Sequence, residues 1–392
     1  MVYAFNWYNV GALLPLIGAT FAANTAQLNV VLAAFLVGVG IFQVPAGFLD
    51  LRWGSRRTAL AGLVLMGAAS TASALSPTLL DLAVLRFLAG VGAAFFFSPA
   101  LSLVASYFPA GQRGPIIGLY NGGFSLGGAI GVTAGAAIGL RFGWPFALGV
   151  GGVALLGMVA FNWWVLPNPL ARAAAAGVAQ RWAVARQVLR SRSIWALSLG
   201  LAGFWAAVYV VAQDYVKFAH VAHGAWGIQT AANLATIFIV ASFPGGLLGG
   251  WIAERGGDRR IFLAVFGVAD GVLIGAIPVF GLYATAGVFA VAGLFDGVVF
   301  AVLYLVPSYL PESRGAGLAL AIAVVNSIQV LLGSIFAVVF GLVAFHAGFS
   351  DAWLLTGAFT IALIPLVLLV SPNRGGSAIP APGPAAGALT PK

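Results

Sequence analysis

The sequence contains no cysteine and, in 392 residues, only three histidines and three methionines. Without cysteine there is no disulfide, no thiol nucleophile and no thiolate metal site. The histidines, His220, His223 and His346, stand outside HExxH or any comparable ligand spacing, so neither a metal nor a cofactor is expected. Charge is just as scarce. Only 7% of the residues are charged and 61% are hydrophobic, with a mean hydropathy of +1.04, whereas a soluble domain carries about 25% charged residues. So little charge cannot cover a water-facing surface. A soluble enzyme, a nucleic-acid-binding protein and a disordered scaffold are excluded, which leaves an integral membrane protein.

The charges that do occur are asymmetric: eighteen basic residues, sixteen of them Arg, against nine acidic. A membrane-spanning helix needs about 20 apolar residues, and twelve such segments can be cut from the chain, the first centred near Pro15 and the last near Ala362. No basic stretch or cleavage site precedes the first, which reads as a retained helix. The gaps after even-numbered spans, the central linker and the tail hold fifteen of the eighteen basic residues; the opposite side holds only Arg141 and Lys217. The positive-inside rule then places both termini in the cytoplasm.

The chain also repeats itself. Ser106-Tyr107-Phe108-Pro109 recurs as Ser308-Tyr309-Leu310-Pro311, and Arg52-Trp53-Gly54 with Arg56-Arg57 recurs as Arg255-Gly256-Gly257 with Arg259-Arg260. The expected fold is therefore all-α, with twelve transmembrane helices in two pseudo-symmetric six-helix bundles of the same orientation and a substrate path between them. Residues 1–166 form the first bundle and 194–371 the second. Residues 167–193 are a cytoplasmic linker, in part an amphipathic helix, and the Gly/Pro/Ala-rich tail 372–392 is disordered. Pro15, Pro45, Pro99, Pro244, Pro278 and Pro365 interrupt spans and are expected to bend them.

Gly47-Phe-Leu-Asp50-Leu-Arg52-Trp-Gly54-Ser-Arg56-Arg57 and Gly250-Trp-Ile-Ala-Glu254-Arg255-Gly-Gly257-Asp-Arg259-Arg260 resemble the G-x-x-x-D-R-x-G-R-R signature of the major facilitator superfamily, between spans 2 and 3 and, as an echo, between spans 8 and 9. The first copy departs, with Asp50 one place early and Leu51 at the usual acidic position. Arg86-Phe-Leu-Ala-Gly90-Val-Gly92-Ala-Ala94 is similar to that family's R-x-x-Q-G-x-G-A-A motif, lacking only the Gln. The resemblance implies the major facilitator fold, with spans 1, 4, 7 and 10 lining a cavity. It also implies a gating role for Gly47, Asp50, Arg52, Gly54, Arg56, Gly250, Glu254, Arg255 and Arg259, and substrate handling or proton transfer by Arg86. The family's Gly-Pro antiporter motif in span 5 is not matched. Instead Gly127, Gly131, Gly135 and Gly139 recur every four residues, a small-residue stripe read as a packing ridge between the halves, against Gly245, Gly246, Gly249 and Gly250.

Three intramembrane charges lie deep: Arg86, Asp270 and Asp296. Each costs about 2.5–3.5 kcal/mol on insertion scales, so each is a candidate for function. Asp296 begins a stripe with Phe300 and Tyr304 and is read as the proton-titrating carboxylate. Asp270, on the peripheral ninth span, is read as a structural acid. Span 7 carries Trp205, Tyr209 and Gln213 on one face, then Asp214, Lys217 and His220 toward its outer end, where an interfacial ion pair is the default. Asp214 is the second proton-coupling candidate. The substrate-binding candidates are Arg86, Asn9, Asn121, Tyr209, Gln213, Tyr304, Asn326 and Gln329; the neutral ones among them either bind substrate or join helices.

The function expected from these residues is secondary active transport by alternating access, moving a small organic anion together with protons. On this reading Arg86 takes a substrate carboxylate while Asp296 is protonated, and re-pairs with Asp296 once the substrate has left. The expected partners are substrate, protons and the lipid bilayer, with no nucleic acid, for a monomer in the plasma (inner) membrane. The alternative is a proton-coupled exporter of drugs or other apolar compounds, suggested by 29 Phe. A membrane-embedded enzyme lacks any nucleophile–base or metal constellation.

Overall fold

A computed structural model of the protein describes residues 1–107, 113–165, 178–222, 226–254, 258–310 and 317–371. Those residues are helical throughout, with no strand among them. Hydrocarbon offers the backbone no hydrogen bonds, and a helix satisfies its own. The first six helices are α1 (Val2–Phe21), α2 (Thr25–Trp53), α3 (Ser55–Ser73), α4 (Leu79–Tyr107), α5 (Arg113–Phe142) and α6 (Trp144–Val165). A short helix, α7 (Val178–Arg190), follows in the linker. The second set is α8 (Arg192–Gly200), α9 (Ala202–Ala222), α10 (Gly227–Glu254), α11 (Arg259–Gly275), α12 (Leu282–Leu305), α13 (Gly317–His346) and α14 (Phe349–Leu363). Helices α8 and α9 are one 31-residue span, Arg192–Ala222, broken at Leu201. Nine of the described spans are long and apolar enough to cross a membrane; α1, α3 and α11, shorter or more polar, bring the number to twelve.

The turn at Gly54, α7 and Ser371 lie at one face of the molecule, the terminal face. The turns at Asn24, Gly143, Gly281 and Gly348 lie at the far face. Two turns show how tightly spans are joined: Gly54 (φ 81°) and Gly348 (φ 101°) adopt left-handed backbone that a Cβ would disfavour. Asn24 starts α2 with a reciprocal capping box, exchanging 2.9 Å hydrogen bonds with Gln27. In α7, Ala185 and Val188 are buried while Arg186 and Arg190 face outward, the amphipathic pattern of a surface helix. Pro15, Pro45, Pro99 and Pro244 lie inside helices. Pro278 lies past the end of α11 and does not interrupt a span as expected, while Pro365 stands inside the span Phe349–Leu369 where its α-helix gives way to 3₁₀. Each stands near the start of a 3₁₀ turn that follows a finished α-helix, where a missing N–H is tolerated.

Both halves use the same joints. Spans 2 and 4 pack backbone to backbone, with Gly90 against the Phe35 carbonyl oxygen. Their counterparts α10 and α12 do likewise, with Gly293 against Phe238 and Gly297 against Ser242. The glycine stripe of α5 is also a close-packing ridge, but its partner differs from the expected one. Gly127, Gly131, Gly135 and Gly139 face Met1, Phe5, Asn9 and Leu13 of α1, within the same half, while Gly245 and Gly249 face Leu294 and Val298 of α12. A repeat of four fixes which residues share a face and says nothing about which helix lies opposite. The halves meet instead through α2 with α13, α5 with α10 and α1 with α9.

Candidate functional site

Between the halves lies a cleft of about 100 Å³, walled by α1, α5, α9, α10 and α12. Its walls are aromatic: Tyr8, Phe124, Trp205, Phe238, Phe243 and Phe300. Phe124 lies within 6.1 Å, ring centre to ring centre, of Tyr3, Trp7, Tyr8 and Phe97. Across the cleft, Trp205 meets Phe300 at 6.3 Å and Phe300 meets Tyr304 at 4.9 Å. Among the described lining residues Asp296 is the one acid and none is basic. Asp296 is 6% exposed, and its Oδ1 has no hydrogen-bond partner among the described residues. The Ser125 and Ser242 hydroxyls, 3.3 Å apart, join α5 to α10 beside it.

Toward the far face the halves are tied shut. Asn29 of α2 donates to Asp214 Oδ1 on α9 (2.9 Å) and to the Ala337 carbonyl on α13 (2.8 Å). Lys217 completes the set, donating to Asp214 at 2.6 Å and to the Asn29 side-chain oxygen. Lys217 and Asp214 are 4% and 0% exposed. The pair is therefore not the interfacial, snorkelling one expected. The face of α9 that carries it turns inward, between α2 and α13, and a buried ion pair needs the extra hydrogen bonds that Asn29 supplies. Nearby, Thr133 of α5 and Thr236 of α10 share a hydroxyl hydrogen bond. Gln213 of α9 donates to the Trp7 carbonyl of α1 at 2.9 Å, where Gly11 leaves room for the Gln213 backbone.

The described residues thus form two six-helix units with an aromatic, acid-bearing cleft, sealed at the far end by polar contacts. A family model described as the Major Facilitator Superfamily matches residues 1–330. The chain belongs to that superfamily. Among its relatives, a gallate transporter of Pseudomonas putida is 24% identical over 354 residues, 81% of this chain and 79% of that one. A nitrite extrusion protein of Bacillus subtilis (strain 168) is 26% identical over 316 residues, covering 79% and 77%. Among solved structures, a bacterial homolog to the human lysosomal transporter Spinster, in an inward-facing and occupied conformation, superposes with a TM-score of 0.73 at 18% identity, over 94% of each chain. As a member of the Major Facilitator Superfamily the protein is a multi-pass membrane transporter of a small molecule, not an enzyme.

Several residues singled out in the sequence lie elsewhere than a facilitator cavity would need. Arg86 donates to the Ser70 and Ser73 hydroxyls of α3, each at 3.0 Å; it is 2% exposed and does not line the cleft. From the sequence its expected partner is Asp296 or a substrate carboxylate; here the Ser70 and Ser73 hydroxyls, one helix back, are its partners. Its span, α4, reaches only a smaller space beside the cleft, through Phe97. Asn9 is buried between α5 and α6, beside Gly135 and Gly151. Tyr209 is buried and Gln213 ties α9 to α1, so neither walls the cleft. Asn326 accepts from the Tyr304 hydroxyl at 2.8 Å and lines the smaller space, whereas Gln329 is fully buried, both polar atoms without partners among the described residues. The Asn121 side chain lies outside the described residues.

The superfamily's loop signature resolves into anchors. Arg56 donates to the Trp163 carbonyl at the end of α6 and stacks over the Trp163 ring at 5.0 Å. In the other half Arg260 donates to the Leu368 and Val370 carbonyls, at 3.2 and 3.1 Å, past the end of α14. Each arginine caps helix-end carbonyls of its own half, which carry the negative end of the helix dipole. Asp258 holds Arg260 in place at 2.5 Å, and that partnership keeps the Asp258 carboxyl below its ordinary range. Asp50 is half-buried at the end of α2 and Arg259 starts α11. Among the described residues a Cβ at Gly47 or Gly250 meets nothing within 4 Å. The side chains of Arg52 and Glu254, and all of Arg255, lie outside the described residues. Sequence reasoning missed Asn29, although a lone amide in an apolar span is itself a signal.

Proposed function

We propose that the protein couples protons to the transport of a small organic anion with an aromatic or apolar body. The observation that carries this reading is the cleft: ring walls with Asp296 as the one acid among its described lining residues. Flat rings stack on such walls. Two carboxylates about 4 Å apart at an effective dielectric near 20 repel by about 4 kcal/mol, so an anion enters beside Asp296 only when Asp296 carries a proton. A protonated Asp296 donates a hydrogen bond to the incoming carboxylate, and proton and anion travel together. Arg86 then has a structural role, fastening α4 to α3, and Asp214 belongs to the far-face closure. The carboxylate in the name of the gallate transporter supports the substrate class.

In the same reading the terminal face is cytoplasmic and the protein works as a monomer in the plasma (inner) membrane, without nucleic acid. The halves are residues 1–166 and 194–371, joined by the linker 167–193 and followed by the tail 372–392. The cleft's apolar walls and single acid also favour a second reading, export of apolar or cationic compounds. A thermal-shift screen of the purified protein separates the two, because a ligand bound to the folded state raises its stability. Stabilisation by gallate or 4-hydroxybenzoate, lost at alkaline pH, is expected. Stabilisation by tetraphenylphosphonium with none by the carboxylates would replace the first reading by the second. In vesicles, Asp296→Asn is expected to abolish pH-driven accumulation of gallate.

A further inference from the structure

Asp270 is a buried acid that the transport scheme above leaves unused. It is 0% exposed, and neither of its carboxyl oxygens has a hydrogen-bond partner among the described residues. On α11, Phe266 faces α12 through the Phe295 ring at 5.2 Å, and Gly271 faces α14 through Gly357. Asp270 lies between these two directions on the helix circumference, so it points into the interior of the second half. At 1.5 Å per residue it stands about 16 Å above the start of α11, and Asp296 about 14 Å above the end of α12. The two carboxyls thus share one level on neighbouring helices, which pack together through Phe266 and Phe295.

The other titratable groups on helices packed against α11 are engaged or distant. Asp351 is in the first turn of α14, at the far face. On α9, Asp214 and Lys217 are committed to each other and to Asn29, Tyr215 is packed edge-on to Phe289 and Trp353, and His220 is at the helix end. Tyr304 donates to Asn326, and Tyr283 is exposed. No basic side chain lines the cleft among its described residues. Once anion and proton have left, an ionised Asp296 has no cation there to pair with, and an isolated buried carboxylate is strongly disfavoured.

We propose that Asp270, buried in the interior of the second half, donates its carboxyl hydrogen to the ionised Asp296 and so permits the empty transporter to return. The proton stays between the two carboxyls, as in an acid pair that shares one proton, and none is consumed. Asp270 is then a positioning residue, acting on the substrate step only through Asp296. This rests on the proton-coupled reading of Asp296.

The test uses the full chain in proteoliposomes with radiolabelled gallate, comparing exchange at equal pH, which skips the empty return, with net uptake driven by a pH gradient. Asp270→Val, which has no donor, is expected to leave exchange within twofold of the parent and lower net uptake at least tenfold. Asp270→Asn, whose amide still donates, is expected to restore net uptake. Normal net uptake in Asp270→Val overturns the proposal, as does equal loss in the Val and Asn variants. Loss of exchange together with net uptake assigns Asp270 to the fold and overturns it too. Should Asp270→Val not fold, Asp270→Ala against Asp270→Ser makes the same comparison. Asp296→Asn, run in parallel, tests the underlying reading separately: if it still accumulates gallate uphill, that reading fails whatever the Asp270 variants do.

Discussion

Removing the Asn29 side chain should open the far face. Asn29→Ala deletes the 2.9 Å bond to Asp214, the 2.8 Å bond to the Ala337 carbonyl and the contact from Lys217. The Lys217–Asp214 pair survives, because both groups are on α9. What is lost joins α2 to the opposite half, and therefore exists only while the far face is closed. A hydrogen bond to a charged group is worth about 1.5–3 kcal/mol and a neutral one about 1 kcal/mol. The closed state should thus lose about 4–7 kcal/mol relative to the open one, a shift of roughly 1,000- to 100,000-fold in their ratio. The assay exploits the absence of native cysteine. Ala344 of α13 is 8% exposed, so in Ala344→Cys an impermeant maleimide added at the far face should react slowly. Adding Asn29→Ala should speed labelling at least tenfold. An unchanged rate in a folded double variant would refute the assignment of Asn29 as the closing contact.

Three further outcomes follow from contacts described above. Gly131→Leu sets a side chain where even a Cβ lies 2.7 Å from the Phe5 carbonyl oxygen; overpacking of this kind costs about 1–3 kcal/mol, visible as a lower midpoint in thermal unfolding. Arg86→Lys keeps the charge but shortens the reach to Ser70 and Ser73, so it should lower stability by about 1–3 kcal/mol while leaving the midpoint of gallate-dependent stabilisation within twofold. Arg260→Ala should cost under about 1 kcal/mol, since the pair is partly exposed. Asp258, held below its ordinary range by Arg260, contributes above its unfolded value of about 3.9 and loses that contribution as pH falls through its lower folded value. The stability gap between parent and Arg260→Ala should therefore be constant near neutrality and shrink below about pH 4.

Much of this architecture is legible in the sequence because the bilayer simplifies the problem. Span length, loop charge and the repeat of the arginine turns are one-dimensional signals, and they locate the twelve spans and the two related halves. Partners are not one-dimensional. The Arg86 guanidinium is met by Ser70 and Ser73 across a helix turn-around, and nothing in the spacing of either helix aims it at those hydroxyls. The stripe from Gly127 to Gly139 announces close approach, but α1 and α10 both offer a surface small enough to receive it. Lys217 sits where a lysine would normally reach for water, and only the meeting of α2, α9 and α13 makes that position an interior one. Asp296 is the opposite case. Its depth and its aromatic companions at helical spacing are readable, and the cleft gathers around it.

The arginine anchors also set an order of assembly. In the first half, Arg56 grips Trp163, so that unit has all it needs to close once its sixth span has been made, while the linker is still being synthesised. In the second half the grip is on the chain's last span. Arg260 reaches Leu368 and Val370, and the Ser193 hydroxyl, at its very start, meets both the hydroxyl and the backbone N–H of Ser371. That unit stays unlatched until translation has passed Ser371, and a membrane insertion machine must hold five of its spans in waiting while a finished neighbour stands beside them.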